Sequence, residues 1–122
     1  MAKKHLFKKH RKERGKYGVS AYDTYDLTGY LTRSISNALR ELAYQNRGCP
    51  GSFYDENYKG PGTPSEAGQK KWTATLNEIA DGLEAGLDWF DNLDVDGKDS
   101  PRYKAYKRAM RKLSKHWFNL WY

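Results

Sequence analysis

The sequence predicts an all-α protein: a three-helix bundle with a basic N-terminal tail and a long Gly/Pro/Tyr-rich insert between helices one and two. Three observations lead there. Apolar residues recur every three or four positions in three separate segments, which is the period of one helix face. Two of those segments open on Thr or Ser followed by Pro, the chemistry of a helix N-terminus. Only 38% of the 122 residues are apolar and 30% are charged, so the core must be lean, of the kind helix stripes supply. Residues 1–18 are expected to be the tail and residues 19–122 one bundle domain.

The tail reads MAKKHLFKKHRKERGKYG, with eight Lys or Arg residues and one Glu. That is the composition of a disordered arm that condenses on polyanions. It lacks the continuous apolar stretch of a secretion signal, contains no Ser, and shows no amphipathic period, so a targeting peptide is not expected. Lys3, Lys4, Lys8, Lys9, Arg11, Lys12, Arg14 and Lys16 are its candidate polyanion contacts.

The first helix is expected over residues 24–46, where Leu27, Leu31, Ile35, Ala38, Leu39 and Leu42 share one side. Arg33, Arg40 and Arg47 recur every seventh residue on the opposite side, and Gly48 suits the left-handed C-cap. Then comes RGCPGSFYDENYKGPGTP, an irregular connection whose length is typical of functional or mobile loops. Thr63, Pro64 and Glu66 form a capping box that starts the second helix, expected over about 64–93. Its buried stripe is Trp72, Leu76, Ile79, Leu83, Leu87 and Phe90. Thr75, Gly82 and Gly86 make a small-residue seam. Glycine inside a helix costs about 1 kcal/mol against Ala, so this seam implies a close backbone neighbour. Ser100 and Pro101 start helix three, with Tyr106, Met110, Leu113, Trp117 and Leu120 as a heptad-like seam.

Charge is sharply segregated. Residues 73–99 hold eight acids against Lys98 alone, while residues 100–122 hold seven bases and no acid. On helix two, Glu78, Asp81, Glu84, Asp88 and Asp91 lie opposite the apolar stripe and are a possible face for a protein partner. On helix three, Lys104, Lys107, Arg108, Arg111, Lys112 and Lys115 form a second candidate surface for nucleic acid or another polyanion, with Phe118 at its edge.

Signals of catalysis are sparse. Cys49 sits in GCPG with no nearby His and reads as an incidental loop thiol. His5, His10 and His116 are too scattered for metal-ligand spacing, and DVDGKD lacks the EF-hand order and its twelfth-position Glu. No enzyme activity, no cofactor and no metal are expected. One cysteine points to a reducing compartment, and no apolar run approaches the ~20 residues of a membrane span. Tyr17, Tyr22, Tyr25, Tyr30 and Tyr44 suit base stacking and bundle packing equally well. No helix-turn-helix, zinc-finger or RNP signature supports reading of base sequence.

YGVSAYDTYDLTGYLTRSISNALREL, RGCPG, KKWTATLNEIADGLE and the terminal HWFNLWY together resemble, over nearly the whole chain, a group of small proteins encoded by tailed bacteriophages. Its members combine a basic N-terminus, an Asp-aromatic-x-Leu helix start, a Gly-x-Pro turn, a Trp-led helix and a closing Asn-Leu-Trp. Tyr25, Asp26, Leu27, Trp72 and Phe118 to Trp121 carry the likeness here, while Thr28 and Gly29 replace the acidic continuation of the helix start. The resemblance implies a phage product in the bacterial host cytoplasm or in the virion, and no catalytic residue. The leading expectation is a non-enzymatic helical protein that binds nucleic acid, or a nucleic-acid-handling host complex, through basic surfaces. The alternatives are an inhibitor that blocks a surface of a host defence or transcription complex, and a minor virion component contacting packaged DNA.

Overall fold

The computed structural model describes residues 2–53, 66–92 and 95–121, with side chains from residue 8 onward. Among the described residues four α-helices appear where three were expected: α1 (Ala2–Tyr17), α2 (Leu27–Gln45), α3 (Glu66–Asp91) and α4 (Pro101–His116). Short 3₁₀ turns lie at Tyr22–Asp26, Gly51–Phe53, Gly97–Asp99 and Trp117–Asn119, and no strand occurs among the described residues. The chain divides into two compact units, Met1–Leu31 and Thr32–Tyr122. None of the described helices is long and apolar enough to cross a membrane.

The additional helix is α1, the segment expected to be a disordered arm. Residues 2–17 contain no Pro and no β-branched residue, and Lys, Arg, Glu and Ala are good helix formers. Its 16 residues sit near the ~12–15 at which an isolated helix becomes even marginal in water, so neighbours must hold it. Gly18 ends it in the left-handed conformation (φ 77°), with its N–H donating to the Arg14 carbonyl at 2.8 Å.

Downstream, Ser20 and Asp23 cap the Tyr22–Asp26 turn reciprocally. The Asp23 N–H donates to Ser20 Oγ at 3.2 Å, and the Ser20 N–H donates to Asp23 Oδ2 at 2.9 Å. This is a capping box with Asp in the acidic position. Asp26 then accepts from the Gly29 N–H at 3.2 Å at the start of α2. The first helix therefore begins at Leu27, after a 3₁₀ turn, and the expected start at residue 24 is corrected. At the other end Asn46, not Gly48, takes the left-handed position (φ 53°). Asn is the usual non-glycine choice there because its short amide tolerates that region.

In the second unit one apolar cluster joins Leu39 and Ala43 of α2, Trp72, Leu76, Ile79, Ala80 and Leu83 of α3, and Ala109 and Leu113 of α4. Each large side chain buried there contributes roughly 1.5–3 kcal/mol. Thr63 and Pro64 of the expected capping box, and residues 54–63 of the insert, lie outside the described residues. The start of the insert is ordered onto the core: Gly48, Cys49 and Pro50 are buried, and the Phe53 ring stands 5.2 Å from that of Trp72.

Three of the expected stripes are rotated or shortened. Leu27, Leu31 and Ala38 are exposed, and the buried line of α2 is Ser36, Leu39 and Ala43. On α4 Met110 is exposed, as is Trp117 just after it, while Ala109, Leu113 and His116 are buried. For α4 the cause is the close approach of its backbone to Gly82 of α3. A Cβ built on Gly82 would lie 2.5 Å from the Ala109 Cβ and 2.7 Å from the Ala105 carbonyl oxygen. At Gly82 only small residues of α4 fit, so Ala105 and Ala109 turn inward there and Met110 is left outside, while Tyr106 packs on Gly86 and Leu113 stays in the core. At the end of α3, Phe90 is 58% exposed and Trp89 turns in instead. Its indole N–H donates to the Gly97 carbonyl at 2.8 Å, a partner that phenylalanine cannot use. Ser100 caps α4 as expected, accepting from the Arg102 N–H with Pro101 at the first helical position.

Candidate functional site

The cations of α1 sort by face. His10, Glu13 and Arg14 recur at three- and four-residue spacing and face the turn that follows. His10 stacks on Tyr22 with centroids 4.9 Å apart, and Glu13 Oε2 accepts from the Ala21 N–H at 2.6 Å. Arg14 grips Asp23 with two bonds: Nε to Oδ2 at 2.8 Å, and Nη2 to Oδ1. The Tyr30 hydroxyl donates to the Gly18 carbonyl. Asp23 is buried, and the Arg14 guanidinium holds its carboxyl well below the usual carboxylate range.

Arg14 therefore serves the architecture of the first unit, although its composition pointed to polyanion contact. Lys8, Lys9, Arg11, Lys12 and Lys16 remain exposed, none in an ion pair among the described residues. Lys16 lies over the Tyr17 ring at 5.2 Å. The side chains of Lys3 and Lys4 fall outside the described ones.

In the second unit the acidic face of α3 meets cations of its own chain. Arg40 Nη2 reaches Asp81 Oδ1 at 2.6 Å and Glu84 Oε2 at 2.8 Å, while Lys112 Nζ reaches Glu78 Oε1 at 2.7 Å. Three of the five carboxylates singled out for a protein partner are thus paired across helices. Asp88 and Asp91 stay exposed, without an ion pair among the described residues. The seven-residue Arg series predicted for the solvent side of α2 is interrupted at Arg40 by this contact.

On α4 Lys112 is the exception. Lys104, Lys107, Arg108, Arg111 and Lys115 are exposed and form no ion pair among the described residues. From Lys104 to Lys115 they extend over 12 residues, about 17 Å of helix at 1.5 Å rise per residue. Beyond them the Trp117–Asn119 turn presents Trp117 at 52% and Phe118 at 88% exposure, and Trp121, after the turn, is 69% exposed. Trp117 and Leu120 also border a shallow apolar groove of about 410 Å³ against Ile35, Leu39 and Leu42 of α2.

The remaining sequence candidates lie inside. The Cys49 thiol is 1% exposed and pushed up by burial. His116 is buried edge-on to Trp72 at 5.5 Å and beside Phe53 at 5.4 Å. Burial lowers its pKa below the ordinary histidine range, and Lys115 and Lys112 push the same way. Of the loop DVDGKD, Asp94 lies outside the described residues. Gly97 to Asp99 form the 3₁₀ turn that anchors Trp89 and leads into α4.

Periodicity searches pass over the Arg14–Asp23 clasp, because its helix face is polar. The signal for it is SAYD at 20–23, a Ser-x-x-Asp spacing. Comparison with known proteins adds no assignment: no family model, no curated protein and no solved structure matches the chain.

Proposed function

We propose that this chain binds nucleic acid, alone or within a complex that handles it, through the exposed cations of α4 and, separately, those of α1. In this reading α2, α3 and α4 act as a three-helix bundle that stiffens the α4 surface. The chain works as a binding protein of phage type, in the host cytoplasm or on packaged DNA.

One observation carries the proposal. On α3, Glu78, Asp81 and Glu84 already have partners in Lys112 and Arg40, while Lys104, Lys107, Arg108, Arg111 and Lys115 of α4 have none among the described residues. A row of unneutralised positive charge on a rigid helix raises the local concentration of polyanions and releases their counterions on contact. The same pairing weighs against surface blockade through α3, since a partner would first have to displace Arg40 and Lys112.

The test is binding of a fluorescently labelled duplex to the full chain across a salt series. If about five phosphates are neutralised, log affinity falls against log salt with a slope near roughly −4.5. Arg108→Glu should weaken binding while leaving the helical circular dichroism spectrum unchanged. Absence of binding at low salt sinks the proposal.

A further inference from the structure

We infer that the α4 surface takes single-stranded nucleic acid, with Phe118 as a stacking platform for a base. The inference rests on the nucleic-acid reading above and specifies which form of the ligand the surface fits.

The arrangement has two parts that differ in what they can recognise. Arg111 and Lys115 lie four residues apart on α4, and Phe118 follows in the Trp117–Asn119 turn just beyond the C-terminal end of the helix. Cations alone attract any phosphate backbone, single or double. A ring that is 88% exposed at the end of the row adds a flat apolar face open to solvent. Trp121, 69% exposed, follows just after the 3₁₀ turn in which Phe118 sits.

Bases in a duplex are stacked on each other and offer no face to such a ring, whereas an unpaired strand offers one at every nucleotide. Cations tracking a backbone beside aromatic side chains are the common device for binding single strands without sequence preference. The exposed ring also has a cost in isolation, since apolar area left in water gains nothing for the fold. Phe118 enters no ring contact among the described residues. A base would cover it, and the phosphates leading from that base along α4 would fall to Lys115 and Arg111.

The experiment compares the full chain with Phe118→Ala and Phe118→Tyr, using labelled oligothymidine and a duplex of equal length at one salt concentration. Stacking contributes about 1–3 kcal/mol per base, so Phe118→Ala should weaken oligothymidine binding by about tenfold. Phe118→Tyr should retain it, and duplex affinity should change by less than about twofold. The salt slope for oligothymidine should lie near roughly −3.5 for five phosphates.

The inference fails if Phe118→Ala leaves oligothymidine binding unchanged, or if it weakens duplex and single strand alike, while nucleic-acid binding itself then stands. If neither ligand binds at low salt, both readings fall together. An acidic polypeptide that displaces oligothymidine at equal charge concentration would point to a protein ligand and also overturn it.

Discussion

Gly82 of α3 and Ala109 of α4 meet so closely that a methyl group on the glycine would lie 2.5 Å from the alanine Cβ. Four residues on, a Cβ at Gly86 would meet Tyr106 at 2.6 Å. Two opposing effects decide what an alanine does at position 82. Helix propensity favours Ala over Gly by about 1 kcal/mol, while overpacking a closed contact costs about 1–3 kcal/mol. One of the obstructing atoms is the backbone oxygen of Ala105, which cannot rotate away, so the steric cost prevails. Gly82→Ala should lower stability by about 1–2 kcal/mol and Tm by about 3–8 °C in thermal unfolding. Adding Ala109→Gly removes one of the two clashes and should recover part of the loss. A Gly82→Ala protein as stable as the parent would show that α3 and α4 do not pack as described.

Acid should loosen the two units at different points. Asp23 is held low by Arg14, so the folded form binds its proton less readily than the unfolded chain does. Its contribution is therefore complete above the ordinary aspartate pKa of about 3.9 and is lost as pH falls below that value. His116 is held low by burial, so the unfolded chain takes up its proton first. Stability of the second unit should then decline as pH drops through the ordinary histidine value of about 6.5. Hydrogen exchange resolved by residue distinguishes the two: core amides of α3 and α4 lose protection in the higher window, and amides of α1 only in the lower one. Asp23→Asn should abolish the lower step alone. A single step shared by all four helices would contradict this assignment.

The apolar period revealed three of the four helices, and Ser100–Pro101 marked one boundary to the residue. Trp72, Leu76, Ile79 and Leu83 were legible as a buried line because four residues at ideal spacing leave little choice of face. What stayed hidden depended on partners distant in the chain. Nothing local in α4 distinguishes Ala109 from Met110 as the inward residue; Gly82, 27 positions earlier, makes that choice by steric fit. The destination of Arg40 is hidden for the same reason, since Asp81 lies 41 residues away. Helix α1 was missed because its inward face of His10, Glu13 and Arg14 is polar, and a search for apolar period treats such a segment as solvated. The α4 cations were legible as a row, but only coordinates separate Lys112, which is paired, from its unpaired neighbours.

The inward turn of Trp89 makes a paired test of the α3 C-terminus. Trp89 donates to the Gly97 carbonyl and packs against the Tyr103 ring at 4.7 Å, while Phe90 beside it is mostly exposed. Trp89→Phe removes one hydrogen bond and some contact area, for an expected loss of about 1–2 kcal/mol in denaturant unfolding. Phe90→Ala should change stability by less than about 0.5 kcal/mol, the usual range for surface sites. A larger effect at Phe90 than at Trp89 would mean that the helix is rotated relative to this description.

Arg111 and Lys112 are adjacent in sequence and carry the same charge, yet they should respond differently to removal. Arg111 has no acid partner among the described residues, whereas Lys112 donates to Glu78 at 2.7 Å. The pair is partly exposed, at 41% and 56% for the two side chains, so it stabilises the fold by no more than about 1 kcal/mol. Its consequence is larger for binding, because the amine is already neutralised and releases few counterions when a polyanion arrives. Arg111→Ala should therefore reduce the steepness of the salt dependence by about one unit, as expected for one lost phosphate contact. Lys112→Ala should leave that slope nearly unchanged. Glu78→Gln completes the comparison: with its partner neutralised Lys112 becomes available, and the slope should steepen towards one further contact. Equal losses for Arg111→Ala and Lys112→Ala, with no response to Glu78→Gln, would show that the ion pair does not persist in solution.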